Sequence, residues 1–236
     1  MKMKNKQVEK MVRRKAQNQS LSEKKYIANK LDLKRTKPII EKKQSFLIVC
    51  EGKNTEPDYF RNFKIKTATI KTVGLGYNTL SLVNRAEELR KQGDYDQVWC
   101  VFDKDDFLDF DEAIQKAAKL GFKTAWSNQA FEYWLLLHFE DHQGGGMNRK
   151  LYYDKINTYL KPFGVVYDED SKNITDKIFF VLKSIDPKTN ISREDLAIKR
   201  AKRNLEFHAN NTPQKSESCT LVFQLVEEIL KYTENE

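Results

Sequence analysis

The 236-residue chain is 39% hydrophobic and 32% charged, with a net charge of +8. No apolar run approaches the roughly 20 residues needed to span a bilayer, and the charged N-terminus lacks the apolar stretch of a secretory signal. Cys50, Cys100 and Cys219 show no C-x-x-C spacing, so zinc-ribbon and disulfide-framed classes are excluded and a reducing, cytoplasmic setting is expected.

The charge is unevenly spread. Residues 1–43 hold 15 Lys/Arg against 4 Asp/Glu, whereas the remainder is mildly acidic. The segment 1–43 therefore reads as a basic extension. It could track a phosphate backbone, with an affinity that falls steeply with salt, or it could be a solvated tail. A strand is predicted near 45–50, then a helix opening at Thr55-Glu56-Pro57-Asp58, with Thr55 suited to the N-cap. A second strand is predicted near 67–73. The Gly74-Leu-Gly76 loop leads into a helix over about 79–91. A third strand (97–102), a helix (109–120) stopping at Gly121, a fourth strand (122–126) and a largely apolar helix (130–139) follow. After the Gly144-Gly-Gly146 break, helices are predicted near 150–161, 173–184, 192–208 and 218–232. Alternating strands and helices in the first part predict a parallel α/β sheet.

Two of these strands end in acid. Phe46-Leu-Ile-Val-Cys50 runs into Glu51-Gly52, and Val98-Trp-Cys-Val-Phe102 into Asp103-Lys-Asp-Asp106. Parallel strands present their C-terminal ends on one sheet edge, so Glu51, Asp103 and Asp105 are expected to converge there. Converging carboxylates repel unless a cation holds them, and hard oxygen donors suit Mg2+ or Mn2+. Asp-x-Asp alone is more often a turn or a cap than a ligand pair. An aspartyl-nucleophile phosphatase would place it after the first strand, with Thr where this chain has Phe107.

Glu132 starts a buried helix, where a carboxylate needs a cation, a donor or the helix dipole. It is thus a candidate ligand for a second ion or a group satisfying the helix N-terminus. Glu56 can be read as a further ligand or a first-turn charge. Lys53 and Lys104 flank the acids and could steady charge developing on a phosphate. On a helix Lys199, Lys202 and Arg203 share a face, which is either a nucleic-acid contact or a solvated surface. His138 shares a face with Trp134 and Leu135 and reads as a core histidine.

These residues resemble a known family. Glu after the first strand and Asp-x-Asp after a later one resemble the Toprim arrangement. The wording is closer to RloB-like proteins, in Cys50-Glu-Gly-Lys-Asn-Thr-Glu-Pro-Asp-Tyr-Phe60, Val101-Phe-Asp-Lys-Asp-Asp-Phe107 and Ser127-Asn-Gln-Ala-Phe-Glu-Tyr-Trp-Leu-Leu-Leu-His-Phe139. In the third block that family usually shows Ser-Asn-Pro-Cys-Phe-Glu. Here Gln129-Ala130 replace Pro-Cys, while Asn128, Glu132 and His138 stay in place.

The resemblance implies an α/β, Toprim-like central parallel sheet flanked by helices, with a basic N-terminal arm and a mainly helical C-terminal part. The expected divisions are 1–43, 44–142 and 143–236. It also implies a Mg2+- or Mn2+-dependent nuclease of RNA or DNA in bacterial anti-phage or abortive-infection systems, using Glu51, Asp103, Asp105 and Lys53. Members are often encoded beside an AAA- or ABC-type ATPase, so a regulatory subunit of such a complex is the alternative. A primase-like nucleotidyl transferase would share the metal site, but no second nucleotide-binding motif is present.

Overall fold

The computed structural model describes residues 13–15, 17–18, 44–72, 79–104, 109–142, 145 and 147–233. The chain divides into two units, Met1–Lys42 and Lys43–Glu236. Of the first, residues 13–15 and 17–18 are helical and exposed. The rest of the predicted basic arm lies outside the described residues, as does the Gly74-x-Gly76 loop.

The second unit is built on strands β1 (Phe46–Cys50), β2 (Ala68–Thr72), β3 (Gln97–Asp103) and β4 (Lys123–Ser127). They form one parallel sheet in the order β2-β1-β3-β4. Side chains alternate across a strand, so each strand feeds two cores. Phe46, Ile48, Cys50, Trp99 and Val101 enter one layer, and Leu47, Val49, Val98, Cys100 and Phe102 the other. All five side chains of β1 are fully buried. Burial of each Leu, Ile or Val is worth about 1.5–3 kcal/mol. The continuous apolar run thus follows from a parallel sheet covered on both faces.

Two helices cover the second layer, α2 (Thr79–Arg90) through Leu82, Val83 and Ala86, and α3 (Phe110–Lys119) through Phe110, Ala113 and Ala117. As expected, Gly121 ends α3 in a left-handed conformation, at φ +72°. The other layer holds α1 (Thr55–Arg61), α4 (Phe131–Leu137) and α5 (Arg149–Leu160). It also holds α6 (Asp176–Lys183), α7 (Arg193–Phe207) and α8 (Val222–Thr233). The predicted helical C-terminal region is therefore half of the sheet's own core. Side-chain caps start three of its helices: Asn148 on α5, Thr175 on α6 and Ser192 on α7.

One local expectation is corrected. Thr55 does not cap α1. The N-cap is Asn54, without a side-chain cap bond, and the Thr55 hydroxyl turns to Tyr167 Oη (2.9 Å) and the Lys172 carbonyl (3.0 Å). Between α6 and α7 the chain forms a hairpin, β5 (Ile185–Asp186) with β6 (Ile191–Ser192), antiparallel. Its turn is closed by Asp186, which accepts from the amide and hydroxyl of Thr189. No described helix is long and apolar enough to cross a membrane.

His138 is a core histidine, 1% exposed, with Nδ1 hydrogen-bonded to the Trp134 carbonyl at 3.0 Å. Burial pushes its pKa down from 6.5 to about 3, against the backbone hydrogen bonds that raise it and with help from the charges of Arg200 and Lys183. Between those values the unfolded chain binds a proton that the folded chain refuses, so stability falls as pH drops below about 6.5. Going from pH 7 to pH 5 is expected to cost about 2 kcal/mol through this residue alone. Urea unfolding at the two pH values checks it. The loss in His138→Phe should be smaller by that amount, and an equal loss in both proteins would contradict the assignment.

Candidate functional site

From β1 the chain moves outward to β2 on one side, then crosses to β3 on the other. The β1/β3 boundary is a topological switch point, and ligands of open α/β sheets bind in the crevice outside the carboxyl ends there. Glu51 and Asp103 stand at that boundary. The Glu51 amide donates to the Val101 carbonyl at 3.0 Å, extending the ladder by one bond. Its side chain then accepts the Asp103 amide through Oε2 at 3.2 Å. Both residues are half-buried. Across the next strand pair, Lys104 donates its amide to the Ser127 carbonyl at 2.8 Å.

Behind Glu51, the Glu56 side chain folds back over Gly52. Glu56 is 6% exposed, and a Cβ on Gly52 would lie 2.2 Å from its Oε2. A side chain at this position would force the Glu56 carboxylate to move. Glu51, Glu56 and Asp103 thus bring hard oxygen donors to one edge, the donor type that suits Mg2+ or Mn2+. Among the described residues, no three His, Cys, Asp or Glu side chains converge as ligands of one ion. Asp105, the remaining expected ligand, lies outside the described residues, as do Asp106 and Phe107. Lys53 is exposed and Lys104 half-buried.

Glu132 is 4% exposed in the first turn of α4. Its Oε1 accepts from the hydroxyls of Tyr153 (2.9 Å) and Tyr167 (3.1 Å). Donors, rather than the bare helix terminus, satisfy this buried oxygen. The two phenols stack with ring centroids 5.3 Å apart, and burial followed by the Glu132 charge pushes the Tyr167 hydroxyl well up in pKa. Since Tyr167 also meets Thr55, the network joins α4, α5 and the start of α1. A further ring, Tyr152, is pushed up to about 12, chiefly by burial and then by the charges of Glu132, Glu217 and Asp103. Neither Tyr152, Tyr153, Tyr167 nor Glu217 carries a local spacing signal. They reach the site only through packing.

The β4–α4 turn is held from several sides. Asn128, fully buried, donates its backbone amide to the Cys219 carbonyl (2.8 Å) and its side-chain amide to the Pro213 carbonyl (2.9 Å). Gln129 follows at φ +91°, a conformation that costs a residue with a Cβ about 1–3 kcal/mol. Proline, held near φ −65°, cannot adopt it.

The basic face of α7 is largely committed internally. Lys202 pairs with Glu227 at 2.5 Å, and Arg203 forms a two-pronged pair with Asp141, while Lys199 is exposed.

The family profile for RloB-like proteins matches residues 46–229. No curated protein and no solved structure matches the chain.

The Gly52–Glu56 contact makes a stability prediction. Gly52→Ala is expected to destabilise the fold by about 1 kcal/mol or more, by forcing a buried carboxylate to move. The cost should shrink in a Glu56→Ala background, and a double-mutant cycle by chemical denaturation checks this. Strict additivity would mean the glycine is not there for Glu56.

Proposed function

The chain belongs to the RloB-like family, and on that premise we propose that it is a metal-dependent, Toprim-type nuclease. It would cleave phosphodiester bonds in RNA or DNA as an effector of bacterial anti-phage defence. The observation that carries this reading is the hydrogen bond from the Asp103 amide to the Glu51 carboxylate across the β1/β3 switch point. It sets the Glu51 carboxylate against the backbone of Asp103, where two strands far apart in sequence end and where an α/β sheet commonly binds its ligand.

Glu51, Asp103 and Asp105 would hold Mg2+ or Mn2+, and Glu132 would offer Oε2 to a second ion, its Oε1 being taken by the two tyrosines. Such an ion, when bound, supplies Lewis acidity to the phosphate and lowers the pKa of an attacking water. Lys53, exposed two residues after Glu51, would meet charge developing on the phosphate. Lys104 and Lys199 would contact the nucleic-acid backbone. Lys202 and Arg203 could join them only by giving up Glu227 and Asp141. The three cysteines are free and buried, in keeping with work in the cytoplasm. An AAA- or ABC-type ATPase encoded alongside is the proposed partner, restraining an activity toxic to its own host.

Incubation of the full chain with plasmid DNA and total tRNA, in Mg2+, Mn2+ or EDTA, tests this. Metal-dependent cutting of one substrate class is expected, lost by on the order of 100-fold or more in Asp103→Ala. Cutting that survives EDTA, or that Asp103→Ala retains, would refute the assignment.

A further inference from the structure

Gln129 combines two observations that ordinary turn chemistry does not explain. Its backbone lies at φ +91°, a region that residues with a Cβ enter only when surrounding contacts over-determine it. Its side chain meanwhile reaches away from its own turn. Oε1 accepts the Met147 amide at 3.0 Å and the Tyr152 hydroxyl at 3.4 Å.

The neighbours of Gln129 are fixed independently. Ser127 Oγ meets Thr220 Oγ1 at 2.9 Å, and the Ser127 carbonyl takes the Lys104 amide. Asn128 is bound to the Cys219, Pro213 and Gln214 carbonyls. Three residues beyond Gln129 comes Glu132, and the strand partner of Ser127 is Asp103. The turn is therefore the covalent link between the sheet position level with Asp103 and the buried carboxylate of α4. Tyr152, which touches Gln129, also feels the charges of Glu132, Glu217 and Asp103. The tether thus ends on α5, whose neighbouring Tyr153 donates to Glu132.

We propose that Gln129 is a positioning residue of the candidate site, its left-handed backbone and side-chain amide together setting where Glu132 stands relative to Asp103. This rests on the nuclease reading above. Strain of this kind survives where it serves a site, because a relaxed turn would be cheaper for folding alone.

Gln129→Gly separates the two roles, since glycine accepts the backbone angle but has no amide. Relief of strain offsets the lost hydrogen bonds, so the unfolding midpoint should move by no more than about 3 °C. At saturating substrate the cleavage rate should fall about tenfold with KM little changed, because a group is misplaced and no binding contact is removed. Hydrogen exchange at the Met147 amide should speed up while amides of β1 and β3 keep their protection. If Gln129→Gly does not fold, Tyr152→Phe takes its place, removing one donor to Oε1 without touching the backbone. The same fall in rate at constant KM is then expected.

Either variant cutting at the wild-type rate, or a folded Gln129→Gly whose Met147 amide exchanges as in wild type, overturns the inference while leaving the nuclease reading intact. A wild type that cuts neither DNA nor RNA with either metal brings down both together.

Discussion

The parallel, in-register pairing of β1 with β3 is the constraint on which the rest of the structure depends. Phe46 lies opposite Gln97 and Cys50 opposite Val101, so the first residue past β1 and the last residue of β3 must end at the same sheet edge. The backbone ladder there gives way to a side chain, with the Glu51 carboxylate taking the amide that no further strand residue satisfies. A buried amide left without a partner would cost about 1–3 kcal/mol. The same bond that completes the sheet therefore sets the Glu51 carboxylate on the backbone of Asp103. Shifting either strand by one residue would turn every core side chain to the other layer. Fold and site share a single register.

That edge is braced by the C-terminal half of the unit. Asn54 donates to the Ser171 carbonyl at 2.7 Å, Thr55 to that of Lys172, and Asn62 to that of Ile174. The turn carrying Glu51, Gly52 and Lys53 is thus sewn to the 167–174 segment. From the opposite side, the Thr220 region pairs with Ser127 and binds Asn128. Glu132 sits between these supports and is held by tyrosines from both α5 and the 167–174 segment. Burying a carboxylate costs a fold free energy unless a ligand or a donor network offsets it. Tyrosine donors serve that purpose at Glu132, and the proposed cation would serve it at Glu51 and Asp103.

The sheet and its order of elements were legible in the sequence because buried parallel strands leave a dense local signal. Phe46–Cys50 and Val98–Phe102 are uninterrupted apolar runs, and each stops at an acid. Gly121 marked the end of α3 for a local reason, its left-handed backbone. Contacts that close across more than a hundred residues left no such trace. Nothing near Thr55 indicated that its hydroxyl would bond Tyr167 and Lys172 instead of capping its own helix. Likewise, the basic face of α7 read as available because Glu227 and Asp141, which take Lys202 and Arg203, lie far away in the chain. The hairpin at Ile185–Ser192 has strands of two residues each, too short for a period-two pattern. Gln129 lay between these cases. Its departure from the family pattern was visible, but its positive φ was not.

The central claim is that the carboxylates at the β1/β3 edge hold a divalent cation. Titration of the full chain with Mn2+, followed by the electron paramagnetic resonance signal of the free ion, tests it most directly because no substrate need be known. The account predicts that wild type removes Mn2+ from solution saturably, that Mg2+ competes, and that Asp103→Asn abolishes binding without changing the metal-free unfolding midpoint. Undiminished Mn2+ binding in Asp103→Asn, or none in wild type, would contradict it.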